Sequence, residues 1–161
     1  MVPMITLSGD WFRCVSLRRD PLSEDGAQLN GGRFNVVGEP ALYLADTPAL
    51  AVAEHLSLGE MFGVATFPPR LLVTVEIEIR QVVDLTDPQT RTAAGVDLMA
   101  LRCDWRAHAG PSPTQLLGRE LRSAGVAGVR FPSSVNASRT NLVVFRENVC
   151  DTDLLRVVGA D

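Results

Sequence analysis

The residue types best suited to chemistry lie close together in one segment of the sequence. Gly31 and Gly32 immediately precede Arg33, and Tyr43 and Glu54 follow further along the chain. Because glycine has no Cβ, the backbone at this pair can adopt positive φ angles or approach a ligand closely. The planar guanidinium of Arg33 suits a phosphate or a carboxylate, and a carboxylate among apolar helix residues is costly to bury unless it has a partner or a task. The segment therefore combines a candidate anion-binding arginine with a candidate functional carboxylate.

Each of these features also has a structural interpretation when it is taken alone. A Gly-Gly pair before a strand is usually a turn, and a single glutamate in a helix is usually solvated. Arg13 lies between aromatic and apolar neighbours, and its long side chain could simply reach the surface. The combination of these residues, rather than any one of them, favours a site.

The segment that carries these residues is predicted to fold as a loop, two strands and a helix. Residues 18–32 are polar and rich in turn-forming residues, which predicts a loop, and residues 33–37 predict a strand. The apolar residues 41–45 predict a second strand, short and buried. Thr47, an N-cap residue followed by proline, predicts a helix over residues 48–58 that carries the glutamate.

The rest of the chain is predicted to add strands and helices to a single α+β domain. Strict alternation in residues 71–79 predicts a strand with one apolar face, so Glu76 and Glu78 lie on the solvated face and are not a catalytic pair. Further strands are predicted at residues 11–15, 82–85, 126–131, 141–145 and 154–158, and further helices at residues 88–101 and, after the capping box Ser112-x-x-Gln115, up to Gly125.

Composition argues against several functional classes. The 161 residues are enough for one domain with a sizeable core, and the apolar share of 46% is ordinary for a globular protein. A net charge of −4 argues against general nucleic-acid binding. All fifteen basic residues are arginine, so the chain lacks a lysine for Schiff-base or P-loop chemistry.

Cysteine and histidine usage argues against a disulfide framework or a metal site. Cys14, Cys103 and Cys150 are odd in number and widely separated, and the histidines are His55 and His108. No cationic stretch precedes an apolar one at the N-terminus, and no apolar run approaches the ~18 residues that span a membrane. The sequence therefore predicts a cytoplasmic protein without a metal and without a membrane association.

The order of several short motifs is similar to that of a known family. An arginine in the first strand is followed by Gly-Gly-Arg-Phe-Asn, a strand ending in Leu-Tyr-Leu-Ala and a helix with Ala-x-x-Glu, and later by Val-Val-Asp-Leu-Thr-Asp, Gly-Val-Arg-Phe-Pro-Ser and Asn-Leu-Val-Val-Phe. Across about residues 11–146, this series resembles the RES-domain family, named for its arginine, glutamate and serine. The resemblance implies a single RES domain over residues 1–161 and an ADP-ribosyltransferase-like fold, in which helices flank a central mixed or antiparallel sheet.

The resemblance also implies a function. Members of that family are the toxin halves of bacterial type II toxin–antitoxin pairs, and their partner is an Xre-type helix-turn-helix antitoxin. They consume NAD⁺, which is a substrate and not a cofactor, by hydrolysis or by phosphorolysis with inorganic phosphate. A protein mono-ADP-ribosyltransferase toxin and a catalytically idle, antitoxin-binding module remain alternatives. The expected assembly is an oligomer with the antitoxin, in which this acidic chain contacts neither DNA nor a membrane.

The resemblance further implies roles for individual residues. The family's glutamate corresponds to Glu54 and its serine to Ser133, with Ser134 as the adjacent alternative. Cleavage of the nicotinamide–ribose bond develops positive charge at C1′, which a carboxylate can stabilise while it orients a nucleophile. The arginines would hold the pyrophosphate, Tyr43 would stack on the substrate, and Ser133 would bind the substrate or orient Glu54. The implied catalytic set is Glu54, Arg33, Tyr43 and Ser133, and the implied NAD⁺-binding set is Arg13, Arg33, Gly31, Gly32, Tyr43 and Asn35.

Overall fold

Six strands form one mixed sheet in the part of the chain that the computed structural model describes, residues 1–61, 63 and 69–159. In chain order the strands are β1 (Ile5–Ser16), β2 (Leu42–Ala45), β3 (Arg70–Asp84), β4 (Gly128–Pro132), β5 (Thr140–Val144) and β6 (Leu154–Val157). The helices over the same residues are α1 (Asp25–Asn30), α2 (Pro48–Met61), α3 (Pro88–Ala94), α4 (Leu98–Arg102) and α5 (Pro113–Ser123), with 3₁₀ turns at Trp105–Ala107 and Arg146–Asn148. None of these helices is both long and apolar enough to cross a membrane.

The sheet closes on itself. Its strand order is β1-β2-β5-β4-β3-β6, and β1 also pairs with β3, so five strands form a barrel and β6 pairs with β3 outside the ring. The β1–β3 pairing is antiparallel and extends from Ile5 opposite Val82 to Ser16 opposite Arg70, whereas β3 and β4 are parallel. The α+β class is confirmed, and the sheet is mixed, which is one of the two arrangements that the family resemblance implies. Closure was outside that prediction, because alternation within one strand does not say which strands pair across the molecule.

Alternation along the strands separates two hydrophobic cores. In β5, Leu142 and Val144 point to the barrel interior, whereas Val143 points to the core beneath the helices. In β2, Tyr43 packs against that same outer core, and Ala45 packs against α2. The interior core consists of Trp11, Leu42, Leu44, Val75, Ile77, Ile79, Val82, Ala127, Leu142 and Val144.

Two strands are longer than the sequence predicts. β1 begins at Ile5 and not at residue 11, because pairing with β3 holds its first half in spite of polar side chains. β3 includes the strand predicted at residues 71–79 and residues 82–84 of the strand predicted at 82–85. The predicted break between them is a β-bulge, where the register shifts and Gln81 adopts a φ of 61°.

Three predictions for helices and loops are corrected. The loop predicted at residues 18–32 contains α1, which has no buried residue and so no apolar pattern to reveal it. Residues 33–37 form a turn and not a strand, because hydrogen bonds of the Tyr43 hydroxyl and the Asn35 amide hold the main chain in this shape. The helix predicted at residues 88–101 is the two helices α3 and α4. Gly95 ends α3 with a left-handed φ of 69°, and the side chain of Asp97 caps α4.

Other local predictions are confirmed. At the start of α2, Thr47 Oγ1 accepts a main-chain N–H at 3.1 Å, and Ser112 opens α5 with a reciprocal capping box. The predicted C-terminal edge strand is β6. Between α2 and β3 the sequence predicts a loop at residues 60–69. Residues 60 and 61 still belong to α2, and positions 62 and 64–68 lie outside the described residues.

The polar face of β3 is solvated, as predicted. Glu78 is exposed, and Glu76 forms an ion pair with Arg156 of β6, with 2.8 Å between Oε2 and Nη2. These two carboxylates therefore belong to the surface of the sheet.

Candidate active site

Glu54 projects from the face of α2 that packs on the sheet. Leu50 and Ala51, one turn earlier on the helix, are buried against Ala45 of β2. Residues three and four apart lie on the same side of a helix, so Glu54 continues this face beyond the packed contact. There its carboxylate accepts a hydrogen bond from Ser133, with 2.8 Å between Oγ and Oε1. The helix thus brings a half-buried carboxylate to the loop that joins β4 and β5.

The surroundings of Ser133 fix the orientation of its hydroxyl in this contact. It directly follows β4 and is fully buried, and its Oγ accepts the N–H groups of Val135 and Asn136 at 3.0 and 3.1 Å. Since a hydroxyl has a single proton, the proton of Ser133 is directed to Glu54. Ser134 is exposed. Of the two adjacent serines, Ser133 is therefore the one that the structure brings to the carboxylate.

Opposing influences act on the charge of Glu54. Burial is the largest, and it raises the pKa of the carboxyl group. The hydrogen bond from Ser133, the positive charge of Arg33 and the amide of Asn141 lower this pKa in part, because they favour the ionised form. The result is a carboxylate that is more basic than an exposed glutamate and is oriented by donors. Such a group can stabilise a positive charge or position a nucleophile.

Arg33 is anchored at the end of α4. Its Nη1 donates to the main-chain carbonyls of Ala100 and Cys103, at 3.3 and 2.9 Å. The last carbonyls of a helix lack partners within it and attract a cation. Burial lowers the pKa of Arg33, and the charge of Glu54 is among the influences that oppose this shift. Arg33 and Glu54 are therefore electrostatically coupled, although they lie on different elements.

The hydroxyl of Tyr43 organises the turn that carries Arg33. It accepts the Phe34 N–H at 2.8 Å and donates to Asn35 Oδ1 at 2.8 Å, and burial raises the pKa of Tyr43. The side chain of Asn35 is fully buried, and its Nδ2 donates to the carbonyls of Ala27 and Glu39 at 2.9 Å. These bonds replace the ladder of a strand and explain why residues 33–37 form a turn. The polar atoms of Asn35 are thus used inside the protein, and its contact with a ligand stays a prediction.

The glycine pair permits this close packing. Gly31 adopts a φ of 74°, and a Cβ placed on Gly32 would lie 2.7 Å from the Tyr43 hydroxyl oxygen and 2.8 Å from Asn35 Oδ1. From the other side, Gln115 of α5 donates through Nε2 to the carbonyls of Gly32 and Asn35, both at 3.0 Å. Sequence reasoning identifies Gln115 as a capping residue and misses this second role. The turn is consequently fixed from two directions.

Arg13 occupies a different environment from Arg33. It shares a face of β1 with Trp11 of the barrel interior, and its Nη1 donates to the carbonyls of Pro21 and Ser23 at 3.1 and 3.0 Å. Burial is the main cause that lowers the pKa of Arg13 to about 10. The structure therefore gives Arg13 a structural role at the loop after β1. No contact of the described residues joins it directly to Arg33.

A cavity of about 300 Å³ lies beside Arg13. Two more arginines, Arg19 and Arg70, line it together with Asp20. Three guanidinium groups against one carboxylate give the cavity a positive character, which suits a phosphate-bearing ligand.

Asn141 is a site residue that sequence reasoning misses. It lies on β5, in register with Ala45 of β2 and Phe131 of β4, and is 7% exposed. Its Nδ2 donates to the Leu44 carbonyl at 3.3 Å, and its amide is one of the groups that lower the pKa of Glu54. In the sequence, Asn141 is visible only as a polar residue at the start of an apolar strand. Such a residue more often marks the end of a strand than a functional site.

Comparison with known proteins assigns the chain to a family. Residues 10–161 match the sequence model of the RES domain. The chain belongs to the RES-domain family. This RES domain is 30% identical over 120 residues to Toxin Res of Yersinia enterocolitica, an alignment of 74% of this chain with 70% of that protein. It is 32% identical over 93 residues to NAD(+) phosphorylase MbcT of Mycobacterium tuberculosis, or 53% of this chain and 49% of that one.

A solved structure extends the similarity to the fold. The RES domain matches the crystal structure of the M. tuberculosis MbcT–MbcA toxin–antitoxin complex with a TM-score of 0.70 and 28% identity. The match covers 95% of this chain and 84% of the matched chain.

The predicted residues of this RES domain fall into two groups. Glu54, Ser133 and Arg33 are linked by a hydrogen bond and by charge, and Tyr43 supports the turn beside them. Arg13 lies apart, next to the arginine-lined cavity. Among the described residues, no three His, Cys, Asp or Glu side chains are grouped closely enough to hold a metal ion.

Proposed function

We propose that this RES domain is a toxin that consumes NAD⁺ by cleaving its nicotinamide–ribose bond. The observation that carries the proposal is the half-buried carboxylate of Glu54, which accepts a hydrogen bond from Ser133 at 2.8 Å and is coupled to Arg33. Relatives named NAD(+) phosphorylase and Toxin Res support it, as does a solved relative from a toxin–antitoxin complex. An NAD⁺-degrading enzyme agrees with both the site and the relatives.

Glu54 acts on the charge that develops during bond cleavage. As the C1′–N bond breaks, positive charge appears at C1′ and the departing pyridinium becomes neutral nicotinamide, so the leaving group needs no acid. The ionised carboxylate stabilises the charge at C1′. Ser133 orients the Glu54 carboxylate before substrate binds. The carboxylate therefore needs little reorientation to stabilise the transition state. NAD⁺ is consumed as the substrate, and the reaction uses no separate cofactor.

Arg33 favours inorganic phosphate as the nucleophile. Its guanidinium is coupled to Glu54 and can attract an anion to the face of the ribose that nicotinamide leaves open. A phosphate oxygen then forms a bond to C1′ while the C1′–N bond breaks, giving nicotinamide and the 1-phosphate of ADP-ribose. The phosphorylase name of a relative supports this choice. Water in place of phosphate would give free ADP-ribose.

The arginine-lined cavity is proposed to receive the pyrophosphate. Arg13, Arg19 and Arg70 supply positive charge in a space of about 300 Å³. Cys14 lines the same cavity and packs against the α2 cluster, so the cavity and Glu54 lie on connected elements. An elongated dinucleotide would then place its phosphates at the cavity and its nicotinamide ribose at Glu54, in an ADP-ribosyltransferase-like arrangement.

The proposed partner is an Xre-type antitoxin. The solved relative is part of a toxin–antitoxin complex, and an enzyme that depletes NAD⁺ must be inhibited in its own cell. The segment at residues 18–32, which includes α1, and the connection between β4 and β5 carry contacts of the site, so a partner segment between them would block substrate entry. The net charge of −4 fits a complex in which the antitoxin, and not this chain, contacts DNA.

Product analysis tests the reaction. Purified protein is incubated with NAD⁺ with and without inorganic phosphate, and products are identified by mass spectrometry. We expect nicotinamide in both reactions, the phosphorylated ribose product when phosphate is present, and loss of activity in Glu54→Gln but not in the surface control Glu78→Gln. A folded protein that leaves NAD⁺ intact under both conditions contradicts the enzyme, and modification of an added protein lysate would instead indicate ADP-ribosylation.

Growth measurements test the partner. Expression of this chain alone is expected to lower cellular NAD⁺ and arrest growth, whereas Glu54→Gln is expected to do neither. Co-expression with a candidate Xre-type antitoxin should restore growth, and that candidate should co-purify with this chain. Normal growth and unchanged NAD⁺ during expression of soluble wild-type protein would favour an idle binding module.

A further inference from the structure

A cavity of about 360 Å³ lies beside the turn that precedes Arg33. Its lining is largely apolar and includes Trp105, Val37 and Pro111, and Arg119 of α5 adds a guanidinium group. Ligand sites for small molecules have volumes of about 300–1,000 Å³ and combine an apolar lining with a few polar groups. This space, the tryptophan cavity, therefore has the size and the lining of a ligand site.

Trp105 is a tryptophan that the hydrophobic cores do not use. Of the two tryptophans in the chain, Trp11 is buried in the barrel, whereas Trp105 is partly exposed and lies outside the hydrophobic clusters of the described residues. Trp105 begins a 3₁₀ turn that Asp104 caps by accepting the Arg106 N–H at 2.9 Å. A tryptophan on a capped turn, open to a cavity, offers a flat stacking surface at a low cost in entropy.

Arg119 offers a second flat group at the same cavity. Its side chain is half-exposed, and its Nη2 lies 2.9 Å from Glu39 Oε1, so an ion pair restrains the guanidinium. Guanidinium groups stack on aromatic rings, and purine bases stack on aromatic side chains. The lining therefore suits a flat aromatic ring, and adenine is such a ring within NAD⁺.

The tryptophan cavity adjoins the arginine-lined cavity. Asn30, the last residue of α1, lines both of them. None of the described residues that line the tryptophan cavity comes from α2, the helix that carries Glu54. In NAD⁺ a ribose separates the pyrophosphate from each of the two ring systems. With the pyrophosphate in the arginine-lined cavity and the nicotinamide ribose at Glu54, the adenine end extends away from Glu54 and toward the tryptophan cavity.

We propose that the tryptophan cavity binds the adenine ring of NAD⁺, with the base stacked on Trp105. The choice of NAD⁺ as the ligand rests on the proposed function, whereas binding of adenine can be measured without the reaction. The cavity also adjoins the turn that carries Arg33. A Cβ placed on Gly31 would lie 3.6 Å from Trp105 Cζ3, and Gln115, another lining residue, donates to the Gly32 carbonyl at 3.0 Å.

Calorimetry with nucleotide fragments tests the proposal. ADP-ribose contains adenine, ribose 5-phosphate lacks it, and neither has a nicotinamide to lose. Trp105→Leu keeps an apolar side chain and removes the flat ring. We expect this change to weaken binding of ADP-ribose about 10-fold or more and to leave binding of ribose 5-phosphate unchanged. The control is Leu116→Ala, because Leu116 is an exposed apolar residue of α5 that does not line the cavity, and it should bind ADP-ribose like wild type.

A measurement on wild-type protein covers the case in which Trp105→Leu does not fold. Nuclear Overhauser effects should connect the H2 or H8 proton of adenine in bound ADP-ribose to the indole protons of Trp105, which are assigned through its main-chain signals. The proposal is overturned if wild-type protein does not bind ADP-ribose, if it binds ADP-ribose without these effects, or if folded Trp105→Leu and Leu116→Ala bind ADP-ribose equally.

Kinetics separate this site from the chemical step. Adenine is remote from the bond that breaks, so Trp105 contributes equally to binding of the ground state and of the transition state. In Trp105→Leu we therefore expect KM for NAD⁺ to rise about 10-fold or more with little change in kcat. Wild-type protein that binds ADP-ribose at Trp105 but leaves NAD⁺ intact would contradict the proposed function and retain the adenine site. Cleavage of NAD⁺ with the same KM in wild type and Trp105→Leu would do the reverse.

Discussion

Ser133 Oγ lies 2.8 Å from Glu54 Oε1, although 79 positions separate the two residues in the sequence. A second contact, between the residue before α2 and the first residue of β5, supports this one. Asp46, just before α2, accepts the Thr140 N–H at 3.0 Å and donates its own N–H to the Thr140 carbonyl at 3.1 Å. Since Thr140 begins β5, the start of α2 is tied to the far end of the loop that carries Ser133. The serine–carboxylate geometry is thus built by long-range pairing.

Ser133→Ala tests the importance of that geometry. The change removes the donor to Glu54 and the acceptor for the N–H groups of Val135 and Asn136. We expect NAD⁺ turnover to fall about 10- to 100-fold and Tm to fall, because buried N–H groups lose their partner. Ser134→Ala is the matched control, and its exposed side chain predicts wild-type turnover and Tm. Equal turnover in the two variants, measured by nicotinamide release, would remove Ser133 from the site.

Glu54→Gln should remove turnover and preserve the fold. Glutamine keeps the shape and can still accept the Ser133 hydrogen bond, but it has no charge to stabilise C1′. For a group that faces developing charge, a loss of about 100-fold or more is expected. The measurement is nicotinamide release by protein whose circular dichroism matches wild type. Undiminished turnover in the folded variant would contradict the catalytic role of Glu54.

The same variant makes a prediction about stability and pH. Burial raises the folded pKa of Glu54 above the ordinary glutamate value of about 4.3. The folded state then binds the proton more tightly than the unfolded chain, so this group favours folding below pH ~4.3 and that benefit is lost as pH rises through the folded pKa. Glu54→Gln does not ionise, so its Tm relative to wild type should be higher at about pH 7 than at about pH 4. A Tm difference that is independent of pH would mean that Glu54 titrates like an exposed glutamate.

Arg33→Lys and Arg13→Lys test the two arginine environments. Lysine keeps the charge but not the planar fork, and it cannot reproduce the two carbonyl contacts that each arginine makes. We expect weaker NAD⁺ binding by calorimetry in both variants, with Glu54→Gln as the background so that substrate is not consumed. Arg102→Lys, on the exposed surface of α4, is the control. Unchanged affinity in the Arg13 variant would place the pyrophosphate elsewhere and leave Arg13 with its structural role alone, and unchanged affinity in the Arg33 variant would limit Arg33 to attracting the inorganic phosphate.

How far the sequence predicts this fold depends on the range of the interactions. Caps are local, and Thr47 and Ser112 therefore start α2 and α5 where the sequence places them. Closure of the barrel depends on β1 meeting β3, and the register of two distant strands is not written in either strand alone.

The candidate site is likewise predictable from the sequence only in part. The residue types of Glu54 and Arg33 identify them as candidates, and their motifs give an order along the chain. The choice between Ser133 and Ser134 depends on burial, and the position of Asn141 beside Ala45 depends on which strands pair beneath α2. Both are tertiary properties, so they require the structure.

Gly32→Ala tests how tightly the turn before Arg33 is packed. The added Cβ would lie 2.7 Å from the Tyr43 hydroxyl oxygen, and Gln115 holds the Gly32 carbonyl from the opposite side, so the turn cannot move away easily. We expect a loss of about 1–3 kcal/mol in the free energy of unfolding, the usual cost of overpacking, and weaker NAD⁺ binding through displacement of Arg33.

Gly26→Ala is the matched control for that substitution. Gly26 lies in α1, where an added Cβ meets no atom within 4 Å, and alanine in a helix is favoured over glycine by about 0.5–1 kcal/mol. Urea denaturation should therefore show a lower free energy of unfolding than wild type for Gly32→Ala and a higher one for Gly26→Ala. If Gly32→Ala unfolds at the same urea concentration as wild type, the Tyr43 hydroxyl can shift away, and the turn is not the rigid support of Arg33 described above.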